Sequence, residues 1–380
     1  MRLDEDHRAV QDAVRAFVQQ EIAPHAARWD REHHFPADAL AGLAALGCYG
    51  VAVPEEWGGA GLDYLALAVI LEEIAAGDGG TSTVVSVNNC PVCSILMAWA
   101  SDEQKRRWLV PLARGERLGA FCLTEPHVGS QADGLRTTAV RDGDDYVLDG
   151  VKQFITSGKN GDLAIVMAVT DKAAGKRGIS AFVVPTDTPG YTVARLEDKT
   201  GQHSSDTAQI LFERCRVPAA NRLGVEGEGL KIALSGLEGG RIGIAAQSLG
   251  MARAAFEAAL AYSKDRVAFG KPIFEHQALQ FRLADMATQI EVARQMIHHA
   301  ASLKDAGVPC LNEAAMAKLF ASEMAERVCS DAIQVHGGYG YVSDFPVERL
   351  WRDVRVCQIY EGTSDVQRIL IGRALAASNS

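Results

Sequence analysis

Residues 137–148 read Thr-Thr-Ala-Val-Arg-Asp-Gly-Asp-Asp-Tyr-Val-Leu. Asp142-Gly143-Asp144-Asp145 sits between two short runs, Thr137–Val140 and Tyr146–Leu148, so a hairpin turn is expected there. Other strand-length runs follow: Ala164–Thr170, Ile179–Val184, Tyr191–Leu196 and Gln209–Phe212. They are short, apolar and rich in β-branched residues, and the helices that a parallel sheet would need between its strands are missing. The block from about Leu118 to Asn221 therefore predicts a small sheet or barrel.

Outward from this block the period changes from two to three and four. On the N-terminal side Val10, Val14, Phe17 and Val18 recur at helical spacing, as do Leu40, Leu43, Ala44 and Leu46. Pro36–Asp38 and Ser101–Glu103 carry helix-start chemistry. On the C-terminal side three stripes appear: Ile242 to Leu260, Leu279 to Ile297, and Met316, Phe320, Met324 and Val328. Long Ala-rich helices joined by short turns predict a bundle. Helices, then strands, then helices is an α+β order, with expected domains at 1–117, 118–225 and 226–380.

The 380 residues carry a net charge of −10. That balance argues against nucleic acid and against a general anionic-membrane surface, because both need surplus Lys and Arg. Met1–Glu21 is charged and amphipathic without the apolar core of a signal peptide, and no apolar run is long enough to span a bilayer. A cytoplasmic location is expected, with the eight cysteines reduced. Cys90-Pro-Val-Cys93 is a lone pair, expected to be buried thiols. Adjacent His33-His34 and His298-His299 cannot both face one way, so no metal site is expected. Dinucleotide, phosphate-loop, zinc-protease and nucleophile-elbow motifs are missing.

Five segments remain. Phe121-Cys-Leu-Thr-Glu-Pro-His-Val-Gly-Ser130 is a strand that ends in a loop able to present N–H groups and a hydroxyl to a polar ligand. Lys152-Gln-Phe-Ile-Thr-Ser-Gly158 sets an aromatic and a hydroxyl on one side of a strand. Arg266-Val-Ala-Phe-Gly-Lys271 lies between two long helices and offers a planar fork of donors. Gln334-Val-His-Gly-Gly-Tyr-Gly340 follows a helix with glycines, which serve as C-caps or permit close backbone approach. In Tyr360-Glu-Gly-Thr-Ser-Asp-Val-Gln-Arg368, Thr363 or Ser364 reads as a helix N-cap. Glu361 lies just before it. Desolvation in a partly apolar site would raise its pKa toward useful basicity. Read one at a time, each segment is equally an ordinary strand, turn or cap.

Together, in this order and spacing, the segments resemble the acyl-CoA dehydrogenase family over nearly the whole chain. The resemblance implies an N-terminal helical domain, a middle β-barrel and a C-terminal four-helix bundle. It also implies noncovalent FAD and a homotetramer built as a dimer of dimers. By motif it makes Glu361 the base that removes the α-proton of an acyl-CoA thioester. The family can instead carry its base before the Arg of Leu-x-x-x-Arg; here Leu237-Glu238-Gly239-Gly240-Arg241 has Gly240 there, which supports Glu361. The implied flavin set is Phe121, Leu123, Thr124, Gly129, Ser130, Phe154 (where Trp is commoner), Ile155 and Thr156. It continues with Arg266, Phe269, His276, Gln277, Gln334, Val335, Gly337, Gly338, Thr363 and Asp365. Thr156 would bond flavin N5 and Arg266 would reach a neighbour's pyrophosphate. Ser130, Glu238, Arg241, Tyr360 and Gly362 are the implied acyl-CoA contacts.

The implied reaction couples proton loss to Glu361 with hydride transfer from Cβ to flavin N5. The Glu361 N–H helps stabilise the thioester oxygen. The product is trans-2-enoyl-CoA, and an electron-transfer flavoprotein reoxidises the flavin. Ser86-Val-Asn-Asn89, Asp198-Lys199, Ser204-Ser205 and Gly240–Ala245 most resemble the short-chain (butyryl-CoA) branch, while Gln202–Thr207 also resembles the medium-chain branch. No Arg or Lys lies between Gly77 and Ser101, which disfavours a dicarboxylic acyl group. Enoyl-CoA reduction and branched or aromatic substrates share every motif. An acyl-CoA oxidase or a non-catalytic assembly factor ranks lower.

Overall fold

The computed structural model describes residues 3–377. The N-terminal helices are α1 (Glu5–Phe17), α2 (Ala23–Glu32), α3 (Ala37–Ala45), α4 (Tyr64–Gly77), α5 (Gly79–Val87), α6 (Ser94–Trp99), α7 (Asp102–Gln104) and α8 (Val110–Ala113). Both expected helix starts are found. Pro36 precedes α3, and Ser101 closes a reciprocal capping box with Gln104 at α7. The strands are β1 (Gly119–Cys122), β2 (Thr138–Asp142), β3 (Asp145–Thr156), β4 (Leu163–Val169), β5 (Ile179–Pro185), β6 (Tyr191–Leu196), β7 (Thr207–Pro218) and β8 (Arg222–Leu223). The chain then forms α9 (Gly229–Asp265), a small hairpin of β9 (Val267–Ala268) and β10 (Lys271–Pro272), α10 (Gln277–Asp305), α11 (Leu311–His336), α12 (Val347–Val354) and α13 (Ser364–Ala377).

The hairpin expected at 142–145 is β2–β3, paired from Thr138↔Asp149 to Asp142↔Asp145. Gly143 at φ 64° supplies the left-handed position such a short loop needs. The eight strands form one sheet ordered β6-β7-β3-β2-β4-β5-β8, with β1 on β4. Most pairs are antiparallel, but β1 runs parallel to β4, Gly119↔Leu163 through Cys122↔Val166. β2 also meets β4 in parallel, at Thr138↔Val169, so the sheet contains two parallel pairings without a crossover helix. No ladder joins β6 to β8 among the described residues, so the expected barrel is met as a sheet.

Alternate residues of β4 face two cores. Leu163, Ile165 and Met167 pack with Val92, Ile95 and Ile232 from the helices. Ala164, Val166 and Ala168 pack with Leu148, Ile210, Phe212 and Phe182, a core made of strands alone. A third core joins both helical domains: Leu71 and Ile74 of α4 cluster with Leu249 of α9, Ile290 of α10 and Met324 of α11. In α11 the expected stripe of large residues is met at Met324 and Val328, which are buried. Met316 and Phe320 are half-buried, while Ala314, Ala317, Lys318 and Ala321 are buried. Small side chains let α11 lie close along α9. All eight cysteines are free and buried, as expected of Cys90 and Cys93.

Candidate active site around Glu361

After α12 the chain turns through Tyr360 and reverses at two left-handed residues, Glu361 (φ 54°) and Gly362 (φ 86°). Thr363 then caps α13, its Oγ1 accepting from Val366 N at 3.3 Å. A left-handed Glu costs energy unless its surroundings enforce it. Here three side chains do so. Gln367 Nε2 donates to the carbonyls of Glu361 (3.2 Å) and Gly362 (2.8 Å). Lys318 Nζ, from α11, donates to Gly362 O at 2.7 Å. Arg241 Nε, from α9, donates to Gln367 Oε1 at 3.2 Å and so fixes the amide.

Glu361 Oε2 is buried and has no hydrogen-bond partner among the described residues. Burial pushes this carboxyl up to about 7, with Arg241 and Lys318 pulling the other way. Across from it is Gly240, where a Cβ would stand 2.8 Å from Oε2. The residue type at the family's alternative base position therefore leaves room for the Glu361 carboxylate. Arg241 is itself buried, which lowers its pKa, and its Nη1 donates to Leu237 O at 3.1 Å.

Of the expected acyl-CoA contacts, Arg241, Tyr360 and Gly362 gather around this loop. Glu238 does not. Its Oε1 accepts from Lys304 Nζ at 2.9 Å and Cys310 Sγ at 3.7 Å. Ser130 is exposed on the loop after β1. The Tyr360 hydroxyl meets Gln247 (3.3 Å), Gln202 (3.4 Å) and Thr83 (3.4 Å), one group from each domain.

The expected flavin residues fall into two further groups. At the β1 end, Phe121 is half-buried, Leu123 is buried and Thr124 is partly exposed. Thr124 O accepts from Gln153 N at 2.9 Å, which sets this strand end beside the Phe154 segment. Phe154 is 61% exposed and lies at φ 60° in a bulge between Lys152 and Ile155. Ile155 is buried and Thr156 partly exposed, so Phe154 and Thr156 share the open side although the strand between them is irregular. Glu125, given no role from sequence, is a buried brace. It accepts from Arg136 N (2.7 Å), Thr137 N (3.0 Å) and Lys152 Nζ (2.8 Å). Gly129 is exposed, with no atom within 4 Å of where a Cβ would stand.

The other group surrounds a cavity of about 550 Å³, whose lining includes Tyr262, Arg266, Val335, Gly337, Gly338 and Tyr339. Gly337, at φ 60°, ends α11, and neither it nor Gly338 has an atom within 4 Å of a would-be Cβ. Gln334 is exposed on the last turn of α11. Phe269 and Gly270 form the turn of the β9–β10 hairpin, both left-handed, and Phe269 is 96% exposed. Its ring meets His276 edge-on at 5.9 Å, and His276 Nε2 lies 3.1 Å from Ala268 O. Gln277 is exposed at the start of α10 and Asp365 on the first turn of α13. Among the described residues no hydrogen bond joins this arm to the Thr124–Phe154 group.

One cluster of metal-ligating types lies elsewhere: His33, Asp198 and His203, within 4.8 Å of one another. The two imidazoles stack at 4.1 Å and 17°, so their in-plane lone pairs do not converge. His203 Nδ1 already faces Asp30 Oδ1 (2.8 Å) and Nε2 faces Lys199 O (2.6 Å). The geometry is that of a clamp between the first two domains.

Three family descriptions match the chain in order: acyl-CoA dehydrogenase N-terminal domain at 4–116, middle domain at 120–215 and C-terminal domain at 227–376. The human mitochondrial short-chain specific acyl-CoA dehydrogenase is 46% identical over 378 residues, covering 100% of this chain and 92% of that protein. Butyryl-CoA dehydrogenase from Megasphaera elsdenii superposes with a TM-score of 0.96 at 42% identity over 99% of each chain. A chain from a structural study of the electron transferring flavoprotein of Acidaminococcus fermentans superposes with a TM-score of 0.97 at 46% identity, again over 99% of each. Sequence, site loop and fold agree, and the chain belongs to the acyl-CoA dehydrogenase family.

Proposed function

We propose that this FAD-dependent acyl-CoA dehydrogenase acts on a short-chain acyl-CoA and forms the trans-2-enoyl-CoA, with Glu361 as the base. The observation that carries the reading is the Glu361 carboxylate: buried Oε2 without a partner, raised to about 7, and facing the space that Gly240 leaves open. A base of that pKa is about half ionised in neutral solution and basic enough to take a weakly acidic α-proton. Glu361 N–H donates no hydrogen bond among the described residues, which leaves it for the thioester oxygen as charge develops there. Arg241, Gln367 and Lys318 hold that N–H and the turn from which the carboxylate projects in one orientation. FAD, when bound, supplies the acceptor for the hydride that leaves Cβ.

The chain's surfaces fit such a cofactor. Exposed Phe154 and Phe269 rings offer packing for a flat group, and Arg266 borders a cavity with two open glycines. The roles of Thr124, Thr156, His276, Gln277, Gln334, Thr363 and Asp365 toward FAD belong to the same proposal. So do the three domain limits, a homotetramer, an electron-transfer flavoprotein as acceptor and a cytoplasmic location. No described helix is long and apolar enough to cross a membrane. The strand-only core supports reading the middle sheet as the family's barrel.

The test is anaerobic bleaching of the bound flavin by straight, branched and aromatic acyl-CoAs. Butyryl-CoA is expected to bleach fastest. Glu361→Gln should keep FAD and lose nearly all bleaching, about a thousandfold or more. Turnover near wild type in that variant would remove Glu361 from the role.

A further inference from the structure

We infer that Lys318 is a positioning residue for the base: from within α11 its buried ammonium holds the Gly362 carbonyl, and with it the turn that carries Glu361, without reaching the substrate. The inference rests on Glu361 being that base. Lys318 is fully buried, on a helix face otherwise lined by Ala314, Ala317 and Ala321. Among the described residues its one hydrogen bond is to Gly362 O, and no carboxylate lies within ion-pair distance of it. A buried ammonium without a paired anion is costly, and a Met of similar length would fill the site more cheaply. The cation therefore needs an explanation other than packing.

The arrangement supplies one. Glu361 has two cationic neighbours, Arg241 on α9 and Lys318 on α11, and both connect to the same loop. Arg241 acts through Gln367, whereas Lys318 bonds the very next carbonyl after the base. Neither forms a contact ion pair with the carboxylate, so Oε2 stays open to a substrate proton. Lys318 thus combines two separable actions. One is a tether that keeps the left-handed turn at Glu361 and Gly362. The other is a positive field that offsets part of the desolvation of the carboxylate.

The signs follow. Burial raises Glu361 to about 7 and Lys318 opposes that rise, so removing the ammonium moves the carboxyl further up. Burial brings Lys318 down to about 8, with nearby Cys357, Glu361 and Glu323 opposing and Arg241 assisting. The window in which Glu361 is ionised and Lys318 still charged lies between these two values. The pH profile of kcat/KM should rise through the first and fall through the second, where the neutral amine keeps only a weaker, uncharged hydrogen bond to Gly362 O and the turn loosens.

The experiment is that profile for FAD-loaded wild type, Lys318→Met and Lys318→Arg, with FAD content and melting temperature measured alongside. Lys318→Met should lower kcat about tenfold to a hundredfold. Its acid limb should move up by about one pH unit and its alkaline limb should vanish. Lys318→Arg should restore the acid limb. In the wild type, warming should move the alkaline limb to lower pH and leave the acid limb in place, because ammonium ionisation absorbs heat and carboxylate ionisation scarcely does. This last measurement needs no variant and stands even where Lys318→Met fails to fold. A Lys318→Met enzyme with wild-type limbs, or an alkaline limb indifferent to temperature, overturns the inference. An active Glu361→Gln enzyme would instead overturn the assignment of the base.

Discussion

Glu361 and Gly240 share one small volume, and each limits what the other can be. A methyl group at position 240 would meet Oε2 at 2.8 Å, closer than nonbonded atoms rest. Gly240→Ala should therefore displace the carboxylate, and the expected loss in kcat is about a hundredfold with FAD content preserved. Single-turnover bleaching checks it; a rate within twofold of wild type would mean that the loop yields freely. Glu361 stood out in the sequence only when the motifs were taken together; alone, a carboxylate before a Gly and a cap reads equally as a partner of the helix start. Lys318 did not stand out at all. It stands among alanines, and periodicity marked Met316 and Phe320 as the core face. The signal that could have found it is a lone charge on a small-residue stripe. Gln367 was hidden for a related reason: its amide bonds backbone carbonyls that only the left-handed turn exposes.

At the scale of elements, α9 determines how closely the helical domains approach. Its Gly250 lies against α4, where an added Cβ would fall 2.1 Å from the Glu72 carbonyl. Backbone cannot move aside as a side chain can. Gly250→Ala should cost about 3 kcal/mol or more, read as a lower denaturant midpoint. An unchanged midpoint would show that α4 and α9 slide without penalty. The strands were the most readable elements. Tyr191–Leu196 is β6 as expected, and the 142–145 turn is where its Asp-Gly sequence set it. The parallel β1–β4 pair and the Phe154 bulge were not readable, because pairing partners and register shifts depend on strands distant in sequence.

Across the whole molecule, polar side chains from all three domains meet beneath Tyr360, and a second seam lies beside it. Arg352 of α12 donates to Asp30 of α2 at 2.6 and 3.1 Å, and also to Thr200 O at 3.3 Å. Burial alone would raise the Asp30 carboxyl, but Arg352 and nearby cations bring it below the usual carboxylate range. A lowered pKa means stabilisation that is present above the ordinary Asp range and lost as pH falls through the folded value. Arg352→Leu should therefore lower stability by roughly 2 kcal/mol at pH 7, and the deficit should shrink in acid. Thermal unfolding at both pH values checks this, and a deficit independent of pH would point to lost packing instead. The order of three domains could be read from the change of period along the chain. The seams could not, since Asp30, Thr83, Gln202 and Arg352 carry no local pattern that links them.

The core shared by the two helical domains also constrains how the protein is made. Leu71 and Ile74 need Leu249, Ile290 and Met324 as neighbours, and those residues leave the ribosome only after the entire strand block. During synthesis the first hundred residues must keep their apolar faces uncovered while more than a hundred further residues emerge and the sheet forms. A chain that stopped within the strand block would leave Leu71 and Ile74 without the neighbours that cover them in the finished fold.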